Sequence, residues 1–587
     1  MVDVVGAKPI DCRSVLGYIT RQMPSSVTAE SAVTYMISEC QVEFPPVGKY
    51  LVIEGDGVNY LARISESRIE DIYSVAKTPP VLSLEQELSM DIRYVPRLIA
   101  LELVAECKGE TCGAPVTPPP IHAVVREPNP QEVSKMLSLP VEGIVLGSLA
   151  LPSGVVIPGN EVLITRDALK HHMLVVGTTG SGKTTLLKNL ALELITKYKG
   201  TTVIAVDAVG HYHHLALNNV RTKVLIPVTH DYVRRAIKKA GNGRDAVKRL
   251  AKALARDYIN GGVFRSMGIK VGRVRVKAVM ARSGNKYRLV SVVLGVGGGV
   301  ELIPWSLRTR DLLMSINELT GLLTEQARMF YGKVIREVRK RISGGSGLTF
   351  ERIYEYLTSP SENRLGGRQL LNYEVIAGNL GIHESTMENI VRALLAIIET
   401  RLFDIEVRAG VDYVVNEEPD YGSAFKPGYV VLDLRTSSAL RQRIMVYRVL
   451  DRLFRFMGGG EHLRNRDRMA VVLVDEAHLF FPQTRADEER RLLERHITRI
   501  TRLGRSRGIA VVFATHMPDD LNDAIIQLTN TKVILRSDEK VLERLGVPTR
   551  ERRFLSIAPT GLAYVKGFAY RYPIYIAFKP PQAYHVG

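Results

Sequence analysis

Apolar residues in this chain come in short, nearly unbroken runs. Met173-Leu-Val-Val176, Val203-Ile-Ala-Val206, Tyr429-Val-Val-Leu432, Val471-Val-Leu-Val474, Ile509-Ala-Val-Val-Phe513 and Val533-Ile-Leu535 have strand length, and helix-length amphipathic stretches separate several of them. Strands that are apolar on both faces predict a parallel sheet covered on both sides, hence a doubly wound α/β domain. The pattern ahead of it differs. Lys49-Tyr-Leu-Val-Ile-Glu54, a Gly-Asp-Gly turn at 55–57 and Asn59-Tyr-Leu-Ala-Arg-Ile64 read as pieces of a small β-barrel. Val116-Thr-Pro-Pro-Pro-Ile121 is a stiff extended connector, because proline fixes its own φ and biases its predecessor away from helix. A domain boundary is expected near it.

More than two hundred residues separate the second and third runs of the α/β pattern, too many for a loop in a compact domain. They divide by composition. Residues 221–310 hold an amphipathic basic helix candidate over 232–257, then a hairpin turning at Ser283-Gly-Asn285. On its first strand Arg273, Arg275 and Lys277 share one face by period-two alternation. Residues 311–405 read as mostly helical. The expected organisation is therefore 1–125, a β-barrel-like domain; 126–220, a linker and the first part of the α/β core; 221–310, a basic insertion with a hairpin; 311–425, a helical subdomain; and 426–587, the second part of the core with C-terminal strands.

A length of 587 residues fits two or three domains, and 45% hydrophobic with 24% charged residues is an ordinary folded composition. The start, MVDVVGAKPIDCR, has no basic lead-in to an apolar stretch, and no window reaches 18 uninterrupted apolar residues, so a cytosolic chain without a span of its own is expected. Four cysteines, Cys12, Cys40, Cys107 and Cys112, are too few for a disulfide framework. Charge changes the picture more. The net charge is +18, and residues 221–310 carry 21 Lys and Arg against four acids. Such a segment suits DNA phosphates, an acidic membrane surface or partner, or simply a solvated face.

The candidate chemistry is concentrated in two motifs. Gly177-Thr178-Thr179-Gly180-Ser181-Gly182-Lys183-Thr184 matches G-x-x-x-x-G-K-[ST], follows an apolar strand and opens a helix-like stretch from Thr184 to Tyr198. Backbone N–H groups of such a loop surround nucleotide phosphates, Lys183 neutralises the β/γ oxygens, and the Thr184 hydroxyl ligates Mg²⁺, with Thr185 next in the cradle. Val471-Val-Leu-Val-Asp475-Glu476-Ala-His478 is a strand ending in two carboxylates: Asp475 for the Mg²⁺ of bound ATP, Glu476 to orient or deprotonate water. His478 reads as a packed histidine or a second group near the phosphates.

Ile500-Thr-Arg502-Leu-Gly-Arg505-Ser-Arg507-Gly-Ile509, then Ala514-Thr515-His516-Met517-Pro518 and Asn530-Thr-Lys-Val-Ile-Leu-Arg536, follow in order. With the two motifs, this arrangement resembles the HerA/FtsK branch of P-loop motors, which includes archaeal HerA DNA translocases and the ATPases of conjugation and DNA import. The resemblance covers about residues 165–580 and is poor in 221–310. It implies a RecA-like motor preceded by a small β-barrel, and a homohexamer that hydrolyses ATP at subunit interfaces and pulls double-stranded DNA through its channel. Arg505 would be the finger reaching a neighbour's γ-phosphate, with Arg502 or Arg536 as nucleotide-side helpers and His516 where the family has a sensor glutamine. A NurA-like nuclease is the partner implied; the alternative is a DNA-import or conjugation motor peripheral to the membrane, docked on a channel. Val-Asp207-Ala-Val-Gly-His211-Tyr is similar to the family's Asp-Pro-x-Gly-Glu-Tyr, with His211 in place of the glutamate.

Two further patterns carry weaker expectations. His211-Tyr-His213-His214 reads as a surface turn, since no cysteine or acidic cluster accompanies it. Cys107-Lys-Gly-Glu-Thr-Cys112 lacks zinc spacing and reads as a loop hairpin, with or without a disulfide to close it.

Overall fold

The computed structural model describes residues 15–20, 27–36, 45–69, 97–261, 264, 274–342, 347–365, 367–435, 437–459, 468–484 and 487–582. They form two compact units, one of residues up to 166 with 531–579, the other of residues 167–530 with the short stretch from 580. Among them no helix is long and apolar enough to cross a membrane.

In the first unit, six antiparallel strands close into a barrel: Gly17–Ile19, Ser31–Met36, Tyr50–Glu54, Asn59–Ile69, Arg97–Lys108 and Val124–Arg126, with Ser31–Met36 pairing Arg97–Lys108 to shut the ring. Alternating inward positions supply its core, Leu51, Ile53, Ala62, Ile64, Ile99 and Leu101. Thr111–Gly113 extends Arg97–Lys108 as a hairpin, and Cys107 is bonded there to Cys112. A second sheet in this unit is built from distant parts of the chain. Ile144–Ala150 and Val156–Ile164 pair with each other, and Ile144–Ala150 also takes Ile574–Ala577, which leads to Leu562–Gly567 and Thr531–Ile534. An ionic cluster sits here: Arg63 reaches the buried Glu551 and the more exposed Glu102, each at 2.9 Å.

The second unit is the parallel α/β domain that the apolar runs predict. Its strands lie in the order Val300–Trp305, Thr222–Pro227, Gly428–Asp433, Thr201–Asp207, Met469–Val474, Ile509–Thr515 and Met173–Val176, all parallel. Thr201–Asp207, Met469–Val474 and Ile509–Thr515 are buried at every position, which requires cover on both faces. Residues 221–310, expected as an insertion, supply two of these strands at their ends. Between them lie two helices and the hairpin Val276–Ser283 and Lys286–Leu294, whose second strand extends the sheet by pairing antiparallel with Val300–Trp305.

The single helix expected over 232–257 is two helices, His230–Ile237 and Gly243–Asn260. Asn242 caps the second one, accepting from Asp245 N at 2.9 Å, and Gly243 is pressed so close to Tyr287 that a Cβ there would lie 2.2 Å from the ring. Residues 311–405 form the expected helical body around Tyr331, Phe350, Ile353, Met387 and Ile390, with a small two-stranded ribbon at 360–371.

Candidate active site

The loop after Met173–Val176 turns through two left-handed glycines, Gly180 at φ 78° and Gly182 at φ 105°, before the helix Lys183–Lys197 begins. At Gly180 an added Cβ would meet no atom within 4 Å, so conformation and not space demands glycine there. Thr179 and Gly180 are exposed at the loop's crest, while Ser181 is buried and donates to the Thr178 carbonyl at 2.7 Å. The Lys183 ammonium donates to the carbonyls of Gly177 and Thr178 at 2.8 and 3.1 Å. Burial lowers its pKa, and the nearby Glu476 and Asp475 raise it in part. Gly177, Thr178, Gly180 and Gly182 thus lie in a loop that leads straight into a helix N-terminus, the setting that suits an anion, with Thr185 half-buried just inside the helix.

Thr184 Oγ1 donates to Asp475 Oδ2 at 3.0 Å, across 291 residues of sequence. A hydroxyl and a carboxylate held together are hard oxygen donors of the kind Mg²⁺ takes while keeping its waters, so the pair fits that ion. Burial raises the Asp475 pKa, as does Glu476 beside it, against the hydrogen bonds from Thr184, Tyr212 and the Glu476 N–H. Glu476 follows in a left-handed conformation, φ 50°, a backbone region that non-glycine residues seldom adopt. Two histidines meet it. His516 Nδ1 lies 2.7 Å and His478 Nδ1 3.6 Å from Glu476 Oε2, and the two rings stand edge to face at 5.1 Å. The His478 nitrogen also lies 3.1 Å from the Thr515 hydroxyl, and burial lowers the pKa of that ring.

A group absent from the sequence-level site completes it. The Asp207 carboxylate accepts from the backbone N–H groups of Val209, Gly210, His211 and Tyr212, fixing the loop after Thr201–Asp207. That loop sends the Tyr212 hydroxyl to Asp475 Oδ2 at 3.0 Å. The Asp-x-x-Gly-x-Tyr pattern carried this signal, but only the fold brings its tyrosine to a carboxylate 263 residues away. Lys188, on the buried side of the P-loop helix, faces Asp207 and Asp475, and burial pushes its pKa down to about 8. The expected surface turn at 211–214 is instead interior: Tyr212, His213 and His214 are buried, and only His211 is partly open.

The arginines divide. Arg502 and Arg505 are exposed and make no ion pair among the described residues. Arg507 stacks on the Phe454 ring at 3.8 Å and donates to the Phe454 carbonyl, which makes it a packing residue. Arg536 belongs to the other compact unit, at the end of Thr531–Ile534. Arg275 and Lys277 are exposed at the start of the hairpin, and Arg273 lies outside the described residues.

Comparison with known proteins gives two family matches, to the central domain of helicase HerA over residues 151–453 and to the HerA-like helicase C-terminal domain over residues 449–534. The DNA double-strand break repair helicase HerA of Pyrococcus furiosus is 38% identical over 66 residues, 11% of this chain and 11% of that protein. The chain thus aligns with about a tenth of that relative's length. Among solved structures, VirB4 of Thermoanaerobacter pseudethanolicus overlaps 76% of this chain and 98% of its own, at 14% identity and a TM-score of 0.42. The plasmid coupling protein TrwB in complex with ADPNP overlaps 78% and 93%, at 14% identity and a TM-score of 0.43.

Proposed function

Since this chain belongs to the HerA helicase family, whose central-domain model spans just over half of it, we propose that it is an ATP-hydrolysing translocase of double-stranded DNA that works as a homohexamer. The observation that carries the reading is the Thr184–Asp475 hydrogen bond with Glu476 directly after it, an arrangement with no evident use other than a metal-bound nucleotide and a water.

Thr184 and Asp475 would hold Mg²⁺, which when bound offsets the charge of the ATP phosphates. Lys183 exchanges its two loop carbonyls for phosphate oxygens, a stronger pairing for an ammonium. Tyr212 and Thr184, both donating to one oxygen of Asp475, aim that carboxylate and favour its ionised form against the burial that opposes it. Glu476 is the base for the attacking water. In the structure it is engaged by His516, so catalysis requires it to leave that nitrogen, and His516 is then free to take a phosphate oxygen or the water. Arg505, exposed and with no ion pair among the described residues, is the finger for a neighbouring subunit's site, with Arg502 beside it. Arg536 is retained as a nucleotide-side helper. Arg275 and Lys277, with Arg273, contact DNA phosphates.

A second reading, a motor for DNA import or conjugation at a membrane channel, draws on the excess of 17 positive charges in residues 221–310. A NurA-like nuclease partner belongs to the first reading. The deciding experiment is steady-state ATP hydrolysis with and without double-stranded DNA, with Lys183→Ala as the blank. Stimulation by DNA is expected; hydrolysis that ignores DNA would overturn the translocase reading.

A further inference from the structure

A cavity of about 440 Å³ opens at the carboxyl ends of Thr222–Pro227 and Gly428–Asp433. Tyr232, Arg235, Tyr258, Asp433, Arg435 and Arg441 are in its wall. The acids there are already engaged. Asp433 accepts from Arg435 Nε and Nη2 at 2.9 and 2.7 Å, and Asp257, also in the wall, accepts from the Tyr232 hydroxyl at 2.8 Å. Two cations are not. Arg235 makes no ion pair among the described residues, and Arg441 spends only its Nε, on the Thr400 carbonyl at 2.8 Å. The open hydrogen-bonding capacity is therefore a pair of guanidinium forks beside two aromatic rings, in a space of mononucleotide size. Guanidinium forks suit phosphate oxygens, and the half-buried Tyr232 ring is the aromatic surface open to a base, since Tyr258 is buried and packed against Arg435 and Phe264.

Behind this wall sits His213, fully buried. Its Nδ1 lies 3.0 Å from the Tyr258 hydroxyl, and its Nε2, which has no hydrogen-bond partner among the described residues, lies 3.8 Å from Asp433 and 3.4 Å from Asp207. Tyr258 and Asp433 face the cavity. Asp207 holds the loop that ends in Tyr212 and its contact to Asp475. One buried ring thus touches both the wall of this cavity and the support of the candidate magnesium ligand.

We propose that this cavity binds a phosphate-bearing nucleotide unit, and that its occupancy alters the affinity of the P-loop site for Mg·ATP through His213 and the Asp207–Tyr212 loop. A ligand phosphate that draws Arg435 off Asp433 changes the charge facing His213, which is the physical step between the sites. The unit is either a free nucleotide or one residue of a nucleic-acid strand, and the chemistry of recognition is the same.

The test separates binding from coupling. In a Lys183→Ala background, which disables the P-loop, calorimetric titration with deoxyadenosine monophosphate and with a short duplex reports on this cavity. Arg235→Ala with Arg441→Ala should weaken one of the two probes at least tenfold. Loss for the monophosphate assigns a free nucleotide; loss for the duplex alone assigns a strand. Arg235→Glu, a single change on an exposed helix, repeats the test should the double variant fold poorly. No binding of either probe, or binding that these variants leave intact, would overturn the site. For coupling, the bound probe should shift Mg·ATP affinity about fivefold or more in the otherwise intact chain, and Tyr258→Phe should abolish the shift while the probe still binds. A probe that binds without moving Mg·ATP affinity would refute the link. None of these outcomes depends on translocation, so hydrolysis indifferent to DNA would leave this inference standing.

Discussion

At the scale of single residues, the site places unequal demands on its carboxylates. Glu476 is set apart by backbone strain and histidine contacts, as a base must be, whereas Asp475 is saturated with donors. Glu476→Gln should keep ATP binding and lower turnover by roughly 10² or more, measured at saturating ATP. Tyr212→Phe removes one donor to Asp475 and should raise the Mg²⁺ concentration for half-maximal hydrolysis about tenfold. Lys188 gives a pH signature. Its pKa in the fold, about 8, lies below the value near 10.4 of an unfolded lysine, so the folded chain sheds this proton first. Stability should therefore rise with pH between those values, and Lys188→Met should flatten that rise in denaturant melts. Lys183, Thr184, Asp475 and Glu476 were legible because their spacing along the chain is itself the motif. Tyr212 and Lys188 were not, because their importance lies in contacts that only the packed sheet makes.

At the scale of elements, legibility followed burial. Runs buried on both faces, such as Ile509–Thr515, announce themselves by composition alone. Thr222–Pro227 and Val300–Trp305 lie farther out in the sheet and carry Lys223 and Glu301, and that polarity hid them inside a segment read by its charge. The break between His230–Ile237 and Gly243–Asn260 was written in Ala-Gly-Asn-Gly, but the apolar period runs through it and masked the stop. Its tightest point makes a prediction. Gly243→Ala would drive a methyl into the Tyr287 ring and should cost about 1–3 kcal/mol in unfolding free energy, a larger loss than Asn242→Ala through its cap, at about 1 kcal/mol.

For the molecule as a whole, charge and connectivity matter more than any one contact. If the exposed start of the hairpin meets DNA, Arg275→Ala with Lys277→Ala should weaken duplex binding and reduce the slope of log affinity against log salt by about 2, whatever the DNA sequence. An unchanged slope would move the DNA contact elsewhere. The barrel was legible from local strand pairs, since its ring is complete by Arg126. The second sheet of the same unit was not, because Leu149 pairs with Ile576, roughly 430 residues later. That pairing sets an order in time. At a synthesis rate of about 5–20 residues per second, Ile144–Ala150 leaves the ribosome roughly 20 to 90 s before its partner exists. During that interval one edge of it is covered by Val156–Ile164 and the other stands open in a crowded cell, and the barrel ahead of it and the nucleotide-binding domain behind it can fold while it waits.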